Sequence, residues 1–206
     1  MVSLNIKLDQ VLFRANYLSD MKIINKKFLI TCQNDKCFSL VPFKDKEFKN
    51  FKYEKPSQFF NHFWNKYEKF KNKFKNNNNQ KAINNRYNGS ALEIILAYLF
   101  TRENIKITNM DENIDVMFVK PDFLLIGNNN KKIFVSAKVS IRERWKQADW
   151  ESIKYKEKYP NAVCILIMND KSEYPGIKRK IQHLHLDKVY LASSNDIDDM
   201  INLIKE

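Results

Sequence analysis

An aspartate and a lysine at one end of a β-hairpin can work on a phosphodiester, and residues 121–138 contain the parts for that pair. In "KPDFLLIG" Asp122 opens a strand-like run, in "FVSAKVS" Lys138 sits on the next one, and "GNNNKK" between them reads as a hairpin turn. If that turn pairs the two runs, Asp122 and Lys138 come to the same end of the hairpin. Ser136, two residues before Lys138, projects from the same face. Cleavage of a phosphodiester requires hard oxygen ligands for a divalent cation, a positioned water, and positive charge to steady the transition state. A carboxylate beside an ammonium group supplies the first and the last of these. Pro121-Asp122 is a common dipeptide, and Ser-x-Lys alone says still less.

A second set of residues follows at once. Arg142, Glu143 and Arg144 stand together at the start of "RERWKQADWESIKYKEKY", a helical stretch. In the major groove guanine offers two acceptors that suit an arginine fork, and cytosine offers an amino donor that suits a carboxylate. Two arginines around a glutamate are therefore equipped to read paired G·C steps; a salt-bridged helix start is the plainer reading. Upstream, Glu93 lies inside the apolar run of "GSALEIILAYLFTREN", an expensive place for a carboxylate unless it has a partner or a task.

The elements that must position these groups form an alternating pattern. "DVMFV", "DFLLI", "KIFVSAKVS", "NAVCILIM" and "VYLAS" are strand-like, and helical stretches precede, interrupt and follow them. The order predicts an α/β fold with a mixed central sheet flanked by helices. Earlier, "SQFFNHFWNKYEKFKNKFK" repeats Phe59, Phe60, Phe63, Trp64, Tyr67, Phe70 and Phe74 at helical spacing, with Ser57 placed to cap it. Such a stripe reads first as core and second as a base-stacking surface. With no repeats and no evident linker, the 206 residues are expected to form a single domain. Residues 1–85 would be a basic, aromatic-rich segment of it and residues 86–206 the catalytic core.

The bulk composition leaves the partner's charge as the main clue. The formal net charge is +12, which suits a polyanion, although a chain this rich in Lys, Asn and Ile also reflects coding bias. No apolar run is long enough for a membrane helix, and "MVSLNIKLDQ" lacks the form of a secretory signal, so cytoplasm is the expected compartment. Three cysteines fit a reducing environment. Cys32 and Cys37 flank a polar turn and read as ordinary thiols, with a metal or redox role the lesser alternative; no second pair completes a zinc site.

Taken together, Pro121-Asp122 and the strand bearing Lys138 resemble the PD-(D/E)xK nuclease superfamily. The residue two before Lys138 is Ser136 instead of the commoner acidic residue, and in this the chain is similar to one branch, the type II restriction endonucleases related to EcoRII, PspGI and NgoMIV. Their order of Ser-x-Lys, Arg-(Asp/Glu)-Arg and a displaced glutamate is matched by Ser136-Ala137-Lys138, Arg142-Glu143-Arg144 and Glu151. The resemblance covers roughly residues 88–168. It implies a restriction-endonuclease-like core, Asp122 and Glu151 as ligands of Mg²⁺, Lys138 at the scissile phosphate, and Glu93 as an additional acidic residue. Glu143, Gln147 and Glu151 fall four apart along one helix face, so Glu151 could reach the metal from the helix while Ser136 leaves it room; Glu143 is the rival ligand. For Glu93 the competing role is a buried ion pair.

The same resemblance implies double-stranded DNA as the substrate, CC/GG as the contacted step, a two-fold homodimer and a cognate DNA methyltransferase in the same system. Two other functions remain open. One is a structure-specific DNA repair or recombination nuclease of the same superfamily, which leaves Arg142-Glu143-Arg144 unexplained. The other is a DNA-binding protein without catalysis.

Overall fold

A computed structural model describes residues 30–33, 36–39, 45–72, 80–108, 121–139 and 144–206. The expected strand "DVMFV", and Arg142 and Glu143 with it, lie outside the described residues. The chain divides into two compact units, residues 1–102 and residues 103–206.

In the first unit, β1 (Ile30–Gln33) and β2 (Lys36–Ser39) pair antiparallel, with Cys32 opposite Cys37 in the register. Helices α1 (Asp45–Asn50), α2 (Pro56–Asn72) and α3 (Gln80–Arg102) follow. Of the expected aromatic stripe, Phe59, Phe60, Phe63, Trp64 and Tyr67 are all buried and form core; Phe74 lies outside the described residues. Phe48 of α1 stacks on both Phe63 and Tyr98, at 4.2 and 3.9 Å between ring centroids, which ties the three helices together. Arg102 donates to the carbonyl oxygens of Phe48, Lys49 and Phe51, satisfying acceptors that the end of α1 leaves open. Helix α2 opens on proline instead of a serine cap. Pro56 has no N–H to lose there, and the side-chain oxygen of Gln58 accepts from the backbone N–H groups of Glu54 and Lys55. The expected seam at 85/86 falls inside the continuous helix α3.

The second unit is a mixed five-stranded sheet in the order β3-β4-β5-β6-β7. Its strands are β3 (Lys106–Thr108), β4 (Phe123–Ile126), β5 (Lys132–Lys138), β6 (Val163–Met168) and β7 (Lys188–Leu191). The first three run antiparallel, and β5, β6 and β7 run parallel. Parallel neighbours require crossovers, and these carry α4 (Arg144–Lys158) and α5 (Tyr174–Lys180). Helix α6 (Asp196–Lys205) closes the chain and buries Ile197, Met200, Ile201 and Ile204. This is the α/β architecture expected, a mixed sheet flanked by helices.

Strand parity sorts the sheet into two faces. Leu124, Phe134, Cys164, Leu166, Met168 and Val189 share one core with Ala148 and Tyr155 of α4 and Ile177 of α5. Ser136 and Lys138 belong to that face too, being two and four residues beyond Phe134. The β4–β5 turn is a 3₁₀ turn over Asn128–Asn130, in which Asn130 takes the left-handed conformation at φ 58°, a position asparagine tolerates well. Beside it, Gly127 is tightly placed. A Cβ there would lie 3.0 Å from Ile133 Cδ1 and 3.2 Å from the carbonyl oxygen of Ile204.

Candidate active site

The hairpin register brings the expected pair together. Phe123 pairs with Val135, so Asp122 falls one step beyond the ladder, beside Ser136 and next to Lys138. Lys138 Nζ donates to Asp122 Oδ2 at 2.8 Å, and the backbone N–H of Ala137 donates to the same oxygen at 2.7 Å. Both side chains are largely buried, 13% exposed for Lys138 and 14% for Asp122. Strand pairing alone did not indicate the Ala137 contact, which depends on the chain turning at Asp122 as the ladder ends.

Helix α4 brings Glu151. Ala148, Glu151, Ser152 and Tyr155 form its buried face, and Tyr155 stacks on Phe134 at 4.2 Å between centroids, which seats the helix over β5. The small side chain of Ala148, wholly buried, suits a helix held close to the sheet. Glu151 is thereby carried to the sheet face that bears Ser136. Ser136 Oγ donates to Glu151 Oε2 at 3.1 Å, and Gln147 Nε2, one turn earlier on α4, donates to Oε1 at 2.7 Å. Ser136 therefore does more than leave room: its hydroxyl hydrogen-bonds the Glu151 carboxylate. Gln147 was visible in the sequence only as a member of the four-apart row.

The electrostatics reflect a carboxylate held in a poorly solvated place. Burial pushes the Glu151 carboxyl above its ordinary 4.5. The Lys138 ammonium group and the hydrogen bond from Gln147 oppose that shift, the negative charge of Asp122 adds to it, and Ser136 opposes it weakly. The charges of Lys138 and Asp122 both reach Glu151, with opposite effects on it. A buried carboxylate with a raised cost of ionisation, close to a second carboxylate, suits a hard divalent cation, whose charge would relieve that cost. Among the described residues no group of three or more His, Cys, Asp and Glu side chains gathers to hold a metal. A cation bound by Asp122 and Glu151 would complete its shell with water and phosphate oxygens, as Mg²⁺ commonly does at phosphoryl sites.

The other expected residues are placed as follows. Arg144 is exposed at the first position of α4, seven residues before Glu151, so one rigid helix carries both. Glu93 lies in the first unit, on α3, partly buried among Ala91, Leu92, Ile94 and Ile95. Trp64 is 8% exposed and stacked on Phe60, a core position. Among the described residues no helix is long and apolar enough to cross a membrane.

No protein-family model matches the chain, and no curated protein matches it in sequence. Its fold does match a solved structure. The restriction endonuclease PspGI in complex with substrate DNA superposes on 98% of this chain and 82% of its own, with a TM-score of 0.52 at 16% sequence identity. The chain therefore has a restriction-endonuclease-like fold.

Proposed function

We propose that this chain is a type II restriction endonuclease that hydrolyses duplex DNA at a site containing CC/GG, with Mg²⁺ held by Asp122 and Glu151. The observation that carries the reading is the convergence of Asp122, Ser136, Lys138 and Glu151 at one end of the β4–β5–α4 unit, through contacts of 2.8 Å (Lys138 to Asp122) and 3.1 Å (Ser136 to Glu151). This convergence occurs in a restriction-endonuclease-like fold.

Each side chain has a defined part in this mechanism. Asp122 and Glu151 present carboxylate oxygens from a strand end and a helix. The cation they hold would polarise the scissile phosphate and lower the pKa of an attacking water. Lys138, released from its pairing with Asp122 as phosphate enters, places its ammonium group beside the reacting phosphate and steadies the negative charge that develops there. Ser136 holds Glu151 from below. Arg142 and Arg144 each grip a guanine, and Glu143 accepts from cytosine amino groups, so the helix that bears the ligand also registers the bases. Glu93 is assigned a supporting acidic role. Two copies related by a two-fold axis would cut both strands of a symmetric site, and a cognate methyltransferase would protect the host DNA.

Digestion of a random-sequence duplex library in Mg²⁺, followed by sequencing of the fragment ends, tests the reading. A shared motif with adjacent C and G pairs is expected. Ends without a common motif would favour a structure-specific repair nuclease. Salt-sensitive binding without any metal-dependent cutting would leave a DNA-binding protein.

A further inference from the structure

The metallonuclease reading assigns Glu151 a task but leaves open what aims its carboxylate. We propose that Gln147 is a positioning residue for this site: its amide fixes the orientation of Glu151 toward the cation. This role of Gln147 rests on the metallonuclease function proposed above and deepens it.

Geometry carries the inference. Glu151 sits on a helix above the strand that usually supplies this ligand, so its flexible side chain must be held at the sheet face from outside that strand. Two donors remove that freedom. Ser136 Oγ engages Oε2 at 3.1 Å from the sheet side, and Gln147 Nε2 engages Oε1 at 2.7 Å from the helix side. The second contact is the shorter. Gln147 and Glu151 are four residues apart, the spacing at which helical side chains meet. Because one donor holds each oxygen, the plane of the carboxylate is fixed, while each oxygen keeps a second lone pair for a cation.

The residue type fits this task. A lysine or arginine at 147 would pair with Glu151 and compete with the metal, and an acid would repel it. A neutral amide directs the carboxylate without changing the charge of the site. Gln147 is otherwise exposed and takes no part in the core, so packing does not account for its placement. It also lies three residues after Arg144, on the turn between the base-reading start of α4 and the metal ligand. Residues that orient metal ligands typically cost about 10–100-fold in metal affinity or activity when removed.

The test substitutes Gln147→Met in the full-length protein, keeping length and helix propensity while deleting the donor. Four quantities are compared with wild type: Ca²⁺ affinity by titration calorimetry, the Mg²⁺ concentration for half-maximal cutting, duplex affinity in EDTA, and melting temperature. The expected result is Ca²⁺ binding weakened about 10–100-fold, a Mg²⁺ requirement raised in step, recovery of cutting at high Mg²⁺, and unchanged melting temperature and EDTA duplex affinity. Unchanged Ca²⁺ affinity overturns the proposal. So does a loss of duplex affinity at unchanged Ca²⁺ affinity, which would make Gln147 a DNA contact. A wild type that binds Ca²⁺ but cuts no DNA defeats the nuclease reading alone, since the calorimetry still decides Gln147. A wild type that binds no Ca²⁺ defeats both.

Discussion

Glu151 is costly to hold as an anion. Its carboxyl is raised above the ordinary 4.5 chiefly by burial, so between that value and the raised one the folded protein keeps a proton that the unfolded chain has released. Stability then falls as pH rises through that interval, and the full cost is present above it. Glu151→Gln removes the charge and keeps the shape. Without divalent cations the variant should melt higher than wild type at neutral pH, and the two should converge as pH falls toward 4.5. Ca²⁺ should stabilise wild type and not the variant, and cutting should be lost. A Glu151→Gln protein that still cuts would move the ligand role to Glu143 or another carboxylate. For the other pair, Lys138→Met should abolish cutting while leaving Asp122 its hydrogen bond from Ala137. Duplex binding in Ca²⁺ should survive, as gel-shift and cleavage assays on one preparation would show. Near-normal cutting by this variant would remove Lys138 from the mechanism.

At the scale of elements, the site depends on how closely α4 sits on β5. Ala148 is the buried contact three residues before Glu151, and Ala148→Leu would overpack it at a cost of about 1–3 kcal/mol. The helix should shift outward and carry Glu151 off Ser136. Cutting should fall by more than an order of magnitude while circular dichroism still reports a folded protein; a variant with wild-type cutting would show that the seat of α4 is not critical. The helix and the hairpin were legible because their signals are local: short apolar runs on either side of "GNNNKK" indicated which ends of β4 and β5 meet, and helical spacing placed Glu151 on a helix face. Other elements left weaker traces. Strand β3 is three residues at a sheet edge, too short to show alternation. Helix α5 begins Tyr-Pro-Gly, residues that usually signal a turn, although proline is tolerated in a first helical turn. Helix α3 starts at Gln80, about three turns before its buried segment, in an Asn-rich stretch whose propensity does not announce it. The contacts that orient Glu151 were not legible, because they depend on the height of the helix above the sheet.

Over the whole molecule the charge is unevenly divided. Residues 1–102 hold 19 Lys and Arg against 8 Asp and Glu, a net +11, whereas residues 103–206 hold 17 against 16, a net +1. The second unit also pairs several of its cations internally: Lys138 with Asp122, Lys154 with Glu157, Lys156 with Asp187, and Lys205 with Glu103. Attraction to a polyanion should therefore come mainly from the first unit, where Lys52, Lys55 and Lys69 are exposed. Each phosphate contact on duplex DNA contributes about 0.9 to the slope of log affinity against log salt. Replacing these three lysines with alanine should lower that slope by about 0.9 for each one that touches a phosphate. Binding should weaken equally on specific and random duplexes, leaving the sequence preference intact. Lys154→Ala with Lys156→Ala, which removes cations already paired, should leave the slope unchanged. Fluorescence anisotropy over a salt series would measure both variants. A flat response in the first, or a fall in the second, would place the phosphate contacts in the catalytic unit and sink the division of labour between reading bases and holding the backbone.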